Sequence, residues 1–283
     1  MSETPSSAPS SVPVGIDTTK ASIARVYDAA LDGKDNFEVD REVLRQVGQV
    51  APEVKDLAWS NRRFLNRVCH YLADQAGIAQ FLDCGSGLPT AENTHQIVQR
   101  ANPDAEIVYV DNDPVVIAHG KALLEENERT HFAAADIFDP ADVLAHDTVR
   151  RHLDFDEPVA LLHIGTLHHY LGDDAPELMR AYVDALAPGS YVAIAHFFDP
   201  ETPEHSALAR KMEELFIHSP MGSGRFRTRE QIRALLPGLD LLPPGLDQAA
   251  DVELCDLWWP NGPKHRPLNR AEHCIAALVG RKN

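Results

Sequence analysis

Asp83, Asp111 and Asp136 stand 28 and 25 residues apart, and each closes a short apolar run: "QFLD", "IVYVD" and "AAAD". Carboxylates ending three successive strands would meet at one edge of a parallel sheet, where open α/β sheets bind ligands. The chemistry they invite is that of a cationic, hydroxylated molecule. Asp83 directly precedes the glycine pair Gly85 and Gly87 in "DCGSG". A carboxylate there repels a pyrophosphate and suits an ammonium, directly or through water. Asp111 can accept from both hydroxyls of a ribose, and Asp136 from an adenine amino group. S-Adenosylmethionine offers all three partners, with a sulfonium and no phosphate.

Other ligands of Gly-rich loops fit less well. A Walker loop needs Gly-Lys-Ser/Thr after its glycines, and none follows here. The dinucleotide fingerprint needs a third glycine for helix packing; Thr90 stands in its place, behind Pro89. Asp113 reads differently from Asp111, as the cap of a helix opening at Pro114.

These acids need strands to carry them, and the pattern supplies five. "IAQFLDCG", "AEIVYVDND", "THFAAADIFDP", "PVALLHIGTL" and "SYVAIAHFF" are apolar runs of strand length. Between them "TAENTHQIVQRA", "PVVIAHGKALLEEN" and "APELMRAYVDAL" have helical periodicity. Strands alternating with helices predict a parallel, doubly wound sheet. "LDLLPPGL", "DVELCDLWWP" and "HCIAALVGRK" add one or two strands that close it. Residues 16–78 read as preceding helices. "TTKASIARVYDAAL", with Thr18 or Thr19 as cap, puts Ile23, Val26, Tyr27 and Ala30 on one face; "NRRFLNRVCHYLAD" does the same for Phe64, Leu65, Val68, Tyr71 and Leu72. Residues 201–235 read as helical and polar, a cap over the domain spanning 79–283.

Composition bounds the function. The net charge of −17 disfavours a nucleic-acid partner. No apolar run approaches the ~20 residues of a membrane span, and nothing resembles a secretory leader. Cys69, Cys84, Cys255 and Cys274 form no CxxC pair, so reduced thiols in a cytoplasmic protein are expected. Residues 1–15 are Ser/Pro-rich and read as a disordered tail.

The order D-x-G-x-G, an acid ending strand two and "AD" after strand three resembles the class I S-adenosylmethionine-dependent methyltransferases. More closely, "RVYDAALDGKDNFEVDR", "FLDCGSGLPT", "VYVDNDPVV" and "VALLHIGTLHHYL" resemble an actinobacterial family of S-adenosyl methyltransferases once described as a domain of unknown function. The likeness runs over nearly the whole chain after the tail. It implies a Rossmann-like, mostly parallel sheet of seven strands with the last hairpin antiparallel, and an N-terminal helical lid. It also implies cofactor contacts at Asp83, Gly85, Ser86, Gly87, Asp111, Asn112, Asp136 and Ile137.

Histidines raise the question of catalysis. His163, His168, His169 and His196 fall on or just after the fourth and fifth strands. No helical HxxxH or carboxylate spacing joins them, so no metal is expected. The turn "GTLHHYL" lies where methyl acceptors sit in this fold, making His168 the candidate general base and His169 the runner-up; simple packing is the competing reading. Asn36, Asn61 and Arg62 read as a surface face, with a lid over the cofactor as the alternative. Trp258 and Trp259 read as edge packing, with an acceptor-pocket lining as the alternative. The function expected is methyl transfer from S-adenosylmethionine to a small molecule. A non-catalytic sensor of the same ligand is the main alternative, and a nicotinamide dehydrogenase the lesser one.

Overall fold

The computed structural model describes residues 17–89, 92–123, 127–263 and 265–283, so the expected N-terminal tail and Thr90 lie outside the described residues. Three helices come first. Helix α1 (Ile23–Ala30) is capped by Ser22, whose Oγ accepts from the Arg25 amide at 3.2 Å. Thr19, expected as a cap, instead donates to Asp17. The "GKDNF" string makes the turn to α2 (Glu38–Gly48): Asp28 accepts from the Asp35 amide and from Asn36 Nδ2 at 3.0 and 2.8 Å. Asn36 is thus a turn residue and does not reach the sheet. Asp40 of α2 is fully buried and accepts from Arg25 Nε (3.0 Å) and from the Ser22 and Phe37 amides. With its lone pairs filled in this way, the buried ion pair welds α1 to α2. Helix α3 (Val54–His70) and the π-turn after it (Tyr71–Gln75) bury the expected stripe of Phe64, Leu65, Val68 and Leu72.

The alternating part follows. It runs β1 (Gln80–Cys84), α4 (Thr94–Ala101), β2 (Glu106–Asp111), α5 (Pro114–Leu123), β3 (Thr130–Ala134), α6 (Pro140–Ala145), α7 (Asp147–His152) and β4 (Ala160–Ile164). Then come α8 (Ala175–Ala185), β5 (Tyr191–Phe197), α9 (Pro203–His218), α10 (Arg229–Arg233), β6 (Asp240–Leu241), β7 (Glu253–Leu254) and β8 (Ile275–Arg281). The strand order is β3-β2-β1-β4-β5-β8-β6, with β7 also on β8. Strands β1 to β5 are parallel, and β8 runs antiparallel to its neighbours. This is the expected Rossmann-like sheet, but with eight strands where seven were expected. The edge position beside β8 is divided between β6, paired to Gly280 and Arg281, and β7, paired to Ala276 and Ala277. Pro243 and Pro244 cause the break, because proline has no N–H for the ladder.

Side chains alternate strictly across the sheet. Phe81, Ile107, Tyr109 and Leu162 face the N-terminal helices, packing with Phe64 and Leu72 in one core. Leu82, Val108, Val110 and Leu161 pack on the other face with Met179 and Tyr182. Two residues on from Phe81, Asp83 therefore turns toward α3, and this period fixes the direction of the site's first acid. Among the described residues no helix is long and apolar enough to cross a membrane.

Candidate active site

Beyond the carboxyl ends of β1 to β5 lies a cavity of about 520 Å³. The eight expected cofactor contacts and the two candidate bases all border it: Asp83, Gly85, Ser86, Gly87, Asp111, Asn112, Asp136, Ile137, His168 and His169. A larger cleft of about 950 Å³, by Arg67 and Trp259, lies away from the strand ends and contains none of them.

The acids are held in different ways. Asp83 is 6% exposed and accepts from Thr94 Oγ1, in the first turn of α4, at 2.7 Å. Burial pushes its carboxyl up to about 6, against the opposing pull of the Thr94 hydroxyl and the Arg62 cation. Asp111 accepts from the Gly87 amide (3.0 Å) on one oxygen and the Asp113 amide (2.9 Å) on the other. Each oxygen keeps a further lone pair for a ligand. Asp113 caps α5 through a 2.7 Å bond from the Val115 amide, as its position suggested. Asp136 is exposed, with one oxygen accepting from the Phe138 amide at 2.9 Å, while Ile137 lies buried beside it. The glycines let this loop form. Gly85 has φ +82°, and a Cβ there would stand 2.4 Å from Thr166 Cγ2; Gly87 has φ +64° and donates to Asp111.

The opposite wall comes from the N-terminal helices. Tyr27, Asn61 and Arg62 line the cavity, and Asn61 Nδ2 donates to the Tyr27 hydroxyl at 2.8 Å. Asn61 Oδ1, Arg62 Nη2 and Ser86 Oγ are buried polar atoms with no hydrogen-bond partner in the protein. Such atoms are nearly always partnered in native proteins, so their presence here suits a polar ligand. Arg62 and Asp83 supply a cation and an anion side by side, the complement of an amino acid's carboxylate and ammonium. The residues present fit S-adenosylmethionine. Sequence reasoning set Asn61 and Arg62 aside as surface, although a signal existed. Asn61 stands one turn from Leu57 and from Phe64 and Leu65, inside the apolar stripe of α3.

The histidine pair sits in a 3₁₀ turn, Leu167–His169, after β4. His168 is 3% exposed and stacks on Phe197 with ring centroids 3.5 Å apart. Its Nδ1 accepts from the Phe197 amide at 3.4 Å, and burial pushes its pKa well down. A neutral ring that accepts at Nδ1 carries its proton on Nε2. His169 is half-buried, with Nδ1 2.9 Å from Ser223 Oγ, and burial lowers its pKa to about 3. Arg227 fixes the turn by donating to the Leu167 and Tyr170 carbonyls and to His196 Nε2. His163 is fully buried and bonds Thr166. Trp258 is buried edge-on to Phe64 and Tyr71, and Trp259 stacks on Tyr71; neither borders this cavity. The apolar part of the cavity's lining includes Leu44, Leu57, Phe197, Phe216, Met221 and Ile275.

Comparison with known proteins agrees with this geometry. Residues 9–283 match the model of a family described as S-adenosyl methyltransferase. A candidate methyltransferase from Thermobifida fusca YX is 42% identical, with a TM-score of 0.88 over 95% of this chain and 98% of its own. A DUF574 family protein from Streptomyces avermitilis MA-4680 is 32% identical, with a TM-score of 0.85 over 94% of this chain and 99% of its own. An O-methyltransferase family protein from Burkholderia thailandensis, 15% identical, shares the fold alone, with a TM-score of 0.50 over 85% of this chain and 66% of its own. No curated protein matches. By the reach of the family match and the identity to these neighbours, this chain belongs to the S-adenosyl methyltransferase family.

Proposed function

We propose that the protein transfers the methyl group of S-adenosylmethionine to a small, uncharged and largely apolar acceptor. The observation that carries this reading is the convergence of Asp83, Asp111 and Asp136 with the unpartnered polar atoms of Asn61, Arg62 and Ser86 on one cavity. In this assignment Asp83 holds the ligand's ammonium and Arg62 its carboxylate. Asp111 and Asn112 hold the ribose, and Asp136 and Ile137 the adenine, with Gly85, Ser86 and Gly87 allowing close backbone approach. The cofactor supplies an electrophilic methyl on its sulfonium. The protein's own part is orientation and the exclusion of water.

His169, rather than the sequence's first choice His168, is the residue we assign to the acceptor's proton. His168 uses Nδ1 on the Phe197 amide and holds its proton on Nε2, leaving no basic lone pair. His169 stays neutral near pH 7; in this assignment its Nδ1–H donates to the Ser223 hydroxyl, so Nε2 is a hydrogen-bond acceptor that orients a hydroxyl or amine more than a strong base. The helices of residues 16–78 act as a lid in this reading, since α1 and α3 form the outer wall. A sensor that only binds the cofactor would have little use for the apolar lining that Leu44, Leu57, Phe216, Met221 and Ile275 add to this cavity. The four buried, unpaired cysteines fit a reducing cytoplasm, and the net charge of −17 argues against nucleic acid as the acceptor. Calorimetry with S-adenosylhomocysteine, NAD and NADP tests the cofactor. Binding of the first alone is expected; dinucleotide binding without it would overturn the assignment.

A further inference from the structure

Two histidines and a glutamate converge at the other end of the sheet. Glu106 opens β2, His131 is the second residue of β3, and His152 ends α7. Across a six-residue strand, Glu106 lies roughly 17 Å from Asp111 and the cofactor cavity. We propose that Glu106, His131 and His152 form a site for a divalent transition-metal ion of the zinc type, which ties α7 to the edge strand β3.

The donor set and its spacing carry this. Glu106 Oε2 and His131 Nε2 are 3.0 Å apart. Bonds of about 2.0–2.1 Å to zinc put neighbouring ligand atoms of a tetrahedron roughly 3.3 Å apart, so this pair already stands at a chelating distance. The His152 ring lies parallel to His131, with centroids 3.3 Å apart and planes at 17°. One donor atom from each of the three residues falls within 4.8 Å of the other two, and tilting the His152 ring out of its stack would turn its lone pair toward the other pair. Among the described residues this is the one group of three such side chains that converges. Two of the ligands sit on adjacent paired strands, whose positions are fixed by the sheet. Arg129 bonds the other glutamate oxygen, Oε1, at 3.0 Å and is itself held by Asp104. That outer contact orients the carboxylate and leaves Oε2 for the ion, the usual support of a metal-binding carboxylate. Half-buried side chains leave the fourth position to water. Imidazole with carboxylate favours zinc, nickel or cobalt over the hard ions magnesium and calcium.

The test is direct metal titration of the full chain after dialysis against a chelator. One Zn²⁺ per chain is expected, with Co²⁺ giving the absorption of a tetrahedral site and Mg²⁺ and Ca²⁺ binding neither there nor comparably. His152→Ala and Glu106→Gln should each weaken Zn²⁺ binding tenfold or more. His152 ends a surface helix, and an unchanged melting temperature in chelator would certify that its variant folds. The competing histidine pair, His205 and His273, with centroids 4.6 Å apart, provides the control. His205→Ala should leave zinc affinity as it is. Wild-type affinity in His152→Ala, or loss of binding in His205→Ala alone, overturns the proposal. S-Adenosylhomocysteine binding is a separate property and should persist in every variant.

Discussion

Asp83 sits where a carboxylate is uncomfortable and a ligand ammonium is welcome. Its carboxyl is pushed up to about 6 in the fold against about 3.9 in an unfolded chain, because burial disfavours the charge. A raised carboxyl stabilises the fold fully only below its unfolded pKa and loses that contribution as pH rises through 6. Each tenfold change in a proton's binding constant is worth ~1.4 kcal/mol, so Asp83→Asn should stabilise the ligand-free protein by about 1–3 kcal/mol at pH 7.5. The gain should vanish near pH 4, as urea unfolding at both pH values would reveal. The same variant should bind S-adenosylhomocysteine at least ten times more weakly, and in the wild type affinity should fall as pH drops below about 6. Asp111 makes a different prediction. Asp111→Ala loses charged hydrogen bonds worth roughly 1.5–3 kcal/mol each to a ribose, so affinity should fall about tenfold or more. Asp113→Ala should cost only the α5 cap. Equal affinities in the two variants would mean that the ribose acid is misassigned. All three acids were legible because each lies within two residues of a strand's end. Arg62 was not, because one sequence cannot say which face of α3 turns toward a loop some twenty residues later.

At the level of elements, the strands β1 to β5 were all readable as short apolar runs between turn residues, although the third run extends six residues past the end of β3 and the fourth three past the end of β4. The failures have local causes. Helix α1 is capped by Ser22 while Thr19 is engaged by Asp17, a competition between two capping hydroxyls that sequence alone leaves open. The sheet's end was less legible because two-residue strands carry almost no periodicity. In the histidine turn, packing bears on position. His168 was favoured for its place after the anchoring Leu167; both histidines border the cavity, but His168 stacks on Phe197 and accepts from its amide, which is why we assign the acceptor contact to His169. His168→Ala should accordingly lower stability by about 1–3 kcal/mol, the cost of leaving a buried amide unpaired with a cavity beside it. His169→Ala should leave stability and S-adenosylhomocysteine affinity nearly intact and lower turnover once an acceptor is in hand. The reverse pattern would restore His168 to the chemistry. Helix α1 has its own test. Ser22→Ala removes a cap worth about 1 kcal/mol, so amide exchange in residues 23–30 should quicken, and bound S-adenosylhomocysteine should slow it again.

For the whole molecule, the cofactor wall and the sheet are parts of one core. Val26 of α1, Val43 of α2 and Phe64 of α3 are buried in the same cluster as Phe81, Ile107 and Leu162 of the strands. A helical segment so joined cannot melt alone without exposing the sheet's apolar face. The chain should therefore unfold in a single thermal transition, and ligand binding in the cavity should stabilise all of it. At a hundred times its dissociation constant, S-adenosylhomocysteine should add about 2.7 kcal/mol. For a chain slightly above the 150–250-residue range, where 1 kcal/mol moves the midpoint by roughly 2–4 °C, that is a rise of about 5–10 °C. NAD should give none, and Asp111→Ala should shrink the rise in step with its weakened affinity. Scanning calorimetry with and without ligand reads all of this at once. Two separate transitions, with only the first moved by ligand, would mean that the N-terminal helices are a loosely docked cover, and that the cavity's outer wall is assembled by the cofactor rather than waiting for it.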